Sequence, residues 1–244
     1  MINIEEIYQE YLNQLRVENR KKYVDYKGWF SASSAGSCYR KMMYRTMDID
    51  TPPPEIRSNR LLRLGTVLHN DFEKAMNMYK ENNPNDDIDI ALEKRITIPE
   101  LKVVGHLDIG IVHKDKEYIK IYDLKSCGAW KWRMKFGRKP DKNPSTNYEL
   151  QIGTYGMGLG REYDITDVDL SLLWYNKDTS AMREENVNSI WIEEAFEYWT
   201  DLNEVIDSIS KPEELTPGDP NVPIYAWECK YCEYKDTHCP GVFS

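Results

Sequence analysis

Two runs of strand-forming residues, 101–112 and 117–124, are separated by only four residues, His113-Lys-Asp-Lys. A connection that short leaves no room for a crossover, so the two runs pair as an antiparallel hairpin. The hairpin is apolar along most of its length, yet it carries Asp108 on its first strand and Asp123 on its second, with Lys125 following. With Lys114 and Asp115 at the turn tip, Asp108 faces Ile121. Asp123 then lies two residues further along the same face, about 7–8 Å away at the backbone. Side chains alternate along a strand, so Lys125 shares that face. Two carboxylates at the end of an apolar hairpin are costly without a counter-charge. A hard dication such as Mg²⁺ supplies one and takes carboxylate oxygens readily. It also polarises a phosphodiester and lowers the pKa of a bound water, while a nearby lysine orients that water and offsets the charge developing on phosphorus. Ordinary surface hairpins carry such charges too, and the hairpin alone does not make a site.

Two flanking helices add to it. Leu61, Leu64, Leu68, Phe72, Ala75 and Tyr79 recur at helical spacing and predict a helix over 59–80 with an apolar face toward the core. Gly65 and His69 lie one turn apart on it, the glycine clearing space beside an imidazole that borders the apolar stripe. Residues 147–160 are expected to be helical despite Gly153, Gly156, Gly158 and Gly160, and Gln151 and Tyr155 share one of its faces. Helices are also expected over 3–25 and 189–209, strands over 92–98 and 168–175, and a linker at the proline run 52–54. The fold class is α/β (α+β), a central mixed sheet flanked by helices.

The net charge of −9 among 244 residues argues against nucleic acid as a partner. The distribution of basic residues argues the other way. Lys131, Arg133, Lys135, Arg138, Lys139 and Lys142 form one cluster, Arg57, Arg60 and Arg63 a second, and Arg40, Lys41 and Arg45 a third. Each is either a solvated face or a set of phosphate contacts. Seventeen Tyr and seven Trp suit base stacking or a large aromatic core. No apolar run is long enough for a membrane span, and the N-terminal segment is amphipathic rather than a signal peptide. A cytoplasmic, intracellular protein is expected (in the host cell cytoplasm if virus-encoded), with no membrane partner. Its five cysteines are then metal ligands or thiols rather than disulfides. Cys229, Cys232 and Cys239 cluster near the C-terminus and need a fourth ligand from Cys38, Cys127 or His238. Zn²⁺ and an iron–sulfur cluster both suit such a set.

The segments GTVLH (65–69), GHLD (105–108), DLK (123–125) and QIGTY (151–155), in this order, resemble the RecB-like branch of the PD-(D/E)XK nuclease superfamily. The resemblance implies a restriction-endonuclease-like core. It implies a Mg²⁺ or Mn²⁺ site formed by His69, Asp108, Asp123 and the Leu124 carbonyl, with Lys125 as the catalytic lysine. Gln151 and Tyr155 would organise the site or contact DNA. Asp123 stands where many members have Glu. One subgroup, including the CRISPR-associated adaptation exonuclease and the nuclease domain of the AddB helicase subunit, holds a [4Fe–4S] cluster on one upstream and three C-terminal cysteines. Cys38, Cys229, Cys232 and Cys239 match those positions, and Cys127 is left over.

The expected organisation is an N-terminal helical segment carrying the first cluster cysteine (1–58), a nuclease core (59–210) and a cysteine-rich module (211–244) that joins the N-terminal and C-terminal segments through the cluster. The expected activity is metal-dependent exonucleolytic hydrolysis at single-stranded or frayed DNA ends. Arg57, Arg60, Lys131, Arg133, Lys135 and Arg138 are the expected DNA contacts. An integrase, or recombination or replication proteins, would be its partners. A DNA-binding or assembly subunit with a vestigial nuclease, and a zinc-stabilised interaction protein, are the alternatives. No P-loop pattern is present, which suits a nuclease without its own helicase.

Overall fold

The expected hairpin forms from β3 (Val103–His113) and β4 (Tyr118–Cys127). They are joined by a 3-10 turn over Lys114–Lys116 and by Glu117 in the left-handed region. The computed structural model describes residues 2–21, 23–52, 55–138, 140, 146–218 and 227–242. The turn is longer than the tip expected at Lys114 and Asp115, and the register differs by two residues: Gly110, not Asp108, faces Ile121. An even shift by itself turns no side chain to the other face, although on β3 Gly105 and Gly110, five residues apart, both face α5 and the alternation slips between them. Continued past the last pair, Ile109 with Tyr122, this register sets Asp108 across from Asp123 rather than diagonal to it.

Four more strands complete a mixed sheet. β2 (Asp89–Ile98) runs antiparallel to β3, β5 (Asp167–Asn176) parallel to β4, and β6 (Met182–Val187) antiparallel to β5. β1 (Phe30–Ser31) pairs in parallel with Val103 and Val104. Because β2 already occupies one edge of those residues, β1 must sit on the edge that faces β4. The β3–β4 ladder ends at Ile109 and Tyr122. Residues 105–108 therefore lie in a fork between β1 and β4, and the GHLD segment opens into it.

One face of the sheet is covered by α5 (Thr146–Tyr163), itself covered by α6 (Trp191–Asp207). The glycines of α5 allow this double contact. A Cβ on Gly153 would overlap the Trp191 carbonyl, and one on Gly158 would overlap Ile96. Trp199 of α6 is fully buried, stacks on Phe30 and donates its indole N–H to Thr154 Oγ1 at 2.8 Å. Core burial of this kind outweighs the helical cost of glycine, about 1 kcal/mol per residue.

The other face meets α3 (Ile56–Asn82), where Gly65 approaches Ser126 of β4. α1 (Ile4–Lys21) lies against α3. Here the sequence expectation fails. The helix forms over the expected residues, but none of it is buried, and Leu61 and Leu64 are 50% and 54% exposed. Periodicity marks an apolar stripe without determining what covers it.

α2 (Tyr39–Thr46) docks the end of the chain, including the short α7 (Trp227–Lys230). Lys41 pairs with Glu228 at 3.0 Å and Arg45 with Glu233 at 2.6 Å. Arg40 donates to the Leu215 carbonyl, and the Tyr44 hydroxyl donates to that of His238. The third basic cluster is thus spent on tying the C-terminal segment down. α4 (Ala129–Phe136) and β6 had no counterpart in the sequence expectations. Lys139, Lys142, Pro53 and Pro54 lie outside the described residues. Among the described residues, no helix is long and apolar enough to cross a membrane.

Candidate active site

Asp123 stands at the mouth of the fork and is almost fully buried, at 1% exposure. Lys125 Nζ lies 2.5 Å from its Oδ2. Burial pushes the Asp123 carboxyl up, Lys125 opposes this, and the charge of Asp108 adds to it. Burial works against the Lys125 ammonium, but the Asp123 carboxylate outweighs it and holds the pKa above the ordinary lysine value. Asp108 is fixed from two sides. Its Oδ2 accepts the backbone N–H of Leu124 at 2.6 Å, and its Oδ1 lies 3.0 Å from His69 Nδ1. Burial would lower the His69 pKa, but the hydrogen bond and charge of Asp108 raise it above 6.5.

The helix α5 reaches the same lysine. Lys125 Nζ donates to Gln151 Oε1 at 2.9 Å, and Gln151 Nε2 donates to the Tyr155 hydroxyl at 3.1 Å. Burial drives the Tyr155 phenol well above its ordinary pKa, which keeps it protonated. The Tyr155 ring lies in the fork against Gly105, and a Cβ at Gly105 would stand 2.8 Å from Tyr155 Cε1. The glycine of GHLD and the tyrosine of QIGTY are therefore one packing unit, and this unit sets the position of Gln151.

The structure brings Asp108, Asp123, Lys125, Gln151 and Tyr155 together, with His69 beside them. Gly65 does not clear space for His69. Its open side faces Ser126, the one neighbour a Cβ there would meet, at 3.6 Å. Sequence reasoning missed two neighbours. The Tyr148 ring lies near two ammonium groups, Lys125 at 4.6 Å and Lys131 at 4.8 Å from the centroid, and its hydroxyl accepts from Lys131 at 2.7 Å. Its spacing of three from Gln151 on one helix was the available signal. Glu93 of β2 joins His69 and Asp108 in a group whose ligand atoms all lie within 4.8 Å of one another, and this is the only such group among the described residues. Nothing in the local sequence singles Glu93 out.

Residues 67–240 match the PD-(D/E)XK nuclease superfamily. The chain belongs to this superfamily. No curated protein matches it significantly. The nuclease-superfamily fold recurs in solved structures. One is the structure titled SSO0001, at 17% identity and TM-score 0.56, covering 96% of this chain and 97% of that one. A second is an alkaline exonuclease (LHK-Exo) from Laribacter hongkongensis, at 11% identity and TM-score 0.50, covering 78% and 93%. A third, from Eubacterium rectale and described as an exonuclease, has 15% identity and TM-score 0.50, covering 78% and 87%. At these identities the likeness is one of fold.

Within this superfamily member the basic residues differ in what they do. Asp178 Oδ2 accepts the Ala129 N–H at 2.6 Å, and this contact holds the start of α4 beside the end of β5. Lys131 rests on Tyr148, while Lys135 pairs with Glu185 at 3.0 Å and lies over Trp174. Arg133 and Arg138 are exposed, as is Trp130, at 69%. Arg57 is exposed, but Arg60 pairs with Glu5 at 2.8 Å and Arg63 lies over Tyr11, both contacts to α1.

Cys38, Cys229, Cys232 and Cys239 line one pocket of about 350 Å³, counting its solvent-open mouth. Cys127 is buried elsewhere and takes no part in it. The backbone N–H of Gly218 donates to Cys38 Sγ at 3.2 Å, although burial outweighs it and raises the thiol's pKa. No three of the four sulfurs lie within 4.8 Å of one another.

Proposed function

We propose that this chain is a metal-dependent DNA exonuclease of the RecB-like branch, with its centre at Asp108, Asp123 and Lys125. The observation that carries the proposal is the pairing of the buried Asp123 carboxylate with the half-buried Lys125, which Gln151 holds from the other side, while His69 and the Leu124 N–H fix Asp108 beside them. The residues suit a divalent cation. Asp123 is buried, and the Lys125 ammonium, 2.5 Å from its Oδ2, offsets its charge. Asp108 beside it adds a second carboxylate charge that acts on it, and such a pair is costly without a further cation. His69, Asp108, Asp123 and the Leu124 carbonyl would hold Mg²⁺ or Mn²⁺. The ion would polarise the scissile phosphodiester and lower the pKa of a water. Lys125 stays an ammonium at neutral pH, orients that water and offsets charge on the phosphate. Gln151 fixes the ammonium's direction, and Tyr155 fixes Gln151.

Action at DNA ends rests on the fold shared with the two proteins described as exonucleases. A preference for single-stranded ends rests on the exposed Trp130, which offers a stacking surface at the start of α4, next to Lys131 and Arg133. The test is cleavage of end-labelled single and double strands with Mg²⁺ or Mn²⁺, against closed circles. Asp108→Ala and Lys125→Ala should abolish cleavage while retaining fold and DNA binding. Cleavage that persists in both variants, or equal cleavage of closed circles, would overturn the proposal.

We further infer that Cys38, Cys229, Cys232 and Cys239 hold a [4Fe–4S] cluster linking the N-terminal and C-terminal segments around the nuclease core. The Gly218 N–H donated to Cys38 Sγ suits a ligating sulfur. Sulfurs on a single Zn²⁺, at about 2.3 Å each, would crowd closer together than these four do. Anaerobic purification should yield a brown protein containing iron and sulfide. A colourless protein with stoichiometric zinc would sink the assignment.

A further inference from the structure

We propose that Glu93 is a third carboxylate ligand of the cation site, beside His69, Asp108 and Asp123. The inference rests on the nuclease reading of that site. β2 pairs with β3 through Leu92 with Ile109 and through Lys94 with Leu107, but the pair between them, Glu93 with Asp108, is missing from the ladder. The register is the same on both sides of the gap, so no residue has been inserted. Instead Glu93 itself departs from strand geometry, with φ 44°. The left-handed region costs a residue with a Cβ roughly 1–2 kcal/mol. In an otherwise regular ten-residue strand, that cost falls on the one residue opposite Asp108.

The result of the kink is chemical. A Glu93 carboxylate oxygen, an Asp108 oxygen and a ring nitrogen of His69 all lie within 4.8 Å of one another. Ligands at about 2.0–2.6 Å from a shared hard cation span distances of this size. A second feature lies beside it: Asp123, 1% exposed, is a further carboxylate, and the Lys125 ammonium at 2.5 Å is its one ion-pair partner among the described residues. The charges of Asp108 and His69 both act on Asp123, and that of Glu93 acts on His69. The four side chains therefore form one electrostatic unit. Its charges also balance. Three carboxylates against a dication and the Lys125 ammonium leave a neutral centre, whereas two carboxylates would leave an excess positive charge. Added carboxylate ligands raise affinity for hard cations through charge count.

The experiment is titration of Mn²⁺ into the full-length protein, dialysed free of divalent ions, read by calorimetry and by the electron paramagnetic resonance of free Mn²⁺. Wild type is compared with Glu93→Gln, Glu93→Asn and Asp108→Asn. Asparagine tolerates the left-handed backbone, so it separates loss of the ligand from loss of the kink. Metal-free melting temperatures check that each variant folds. Both Glu93 variants should bind Mn²⁺ at least about tenfold more weakly, as should Asp108→Asn. Wild-type Mn²⁺ affinity in the Glu93 variants, with binding lost in Asp108→Asn, would overturn the role of Glu93 and leave the nuclease reading standing. Wild-type affinity in all three would overturn both.

Discussion

Replacing Gly105 by alanine should damage this protein more than its single added methyl suggests. The new Cβ would stand 2.7 Å from the Ala32 Cβ, 2.8 Å from Tyr155 Cε1 and 3.2 Å from the Tyr155 hydroxyl. Carbon atoms rest at about 3.5–4.0 Å, so the fork would have to open by roughly 0.7 Å or more on two sides. Neither side yields easily. Ala32 is 1% exposed, and Tyr155 sits on a helix pressed between the sheet and α6. Overpacking of this kind costs about 1–3 kcal/mol, which for a chain of this size lowers the melting temperature by about 2–12 °C. Because Tyr155 carries Gln151 and Gln151 carries Lys125, kcat should fall as well, by up to about a hundredfold for a displacement near 1 Å. Gly65→Ala is the contrast. Its Cβ meets only Ser126 Oγ, at 3.6 Å, and alanine in a helix gains about 0.5–1 kcal/mol over glycine. Thermal unfolding of the two variants decides the matter. A Gly105→Ala protein that melts with wild type, or a Gly65→Ala protein that melts lower than Gly105→Ala, would refute the packing argument.

Gln151→Leu keeps the volume but strips Lys125 and Tyr155 of their shared partner. It should lower kcat with little change in KM, and an unchanged kcat would show that the relay is idle. His69 has its pKa raised above 6.5 by Asp108. The protonated pair therefore stabilises the metal-free protein below pH 6.5, and that stabilisation is lost as pH rises through the raised value. A cation needs the neutral imidazole. The rise in melting temperature on adding Mn²⁺ should thus grow from pH 6 to pH 8, and a flat response would count against His69 as a ligand. Lys41→Met leaves Glu228 covered and unpaired. Breaking a buried pair on one side costs about 3–5 kcal/mol, so hydrogen exchange in residues 227–242 should accelerate. The double variant Lys41→Met, Glu228→Leu should recover most of the protection.

Much of this site was legible because its motifs are local. Asp123 and Lys125 are two apart on one strand, and Gln151 and Tyr155 are four apart on one helix, so each pair shares a face whatever surrounds it. On β4 parity survived the error in the turn for the same reason: a two-residue shift of register moves partners without turning faces. The helix α4 was not legible, since a run of basic residues reads the same on any solvated segment. β6 (MREENV) is polar along its length and is a strand only because β5 supplies an edge.

The sequence by itself determined the hairpin, the helices on either side of it, the order of the four motifs and the identity of most residues at the centre. These follow from periodicities of two and of about 3.6 residues, which act over a few neighbours. Only the tertiary structure decided that β4 leaves β3 at Asp108, and that Tyr155 fills the resulting fork against Gly105. The same holds for the apolar stripe of α3, which stays at the surface, and for the kink that places Glu93 beside His69 and Asp108. Each of these depends on contacts between segments tens of residues apart. Packing and charge are balanced there across the sheet, and no local pattern records the outcome.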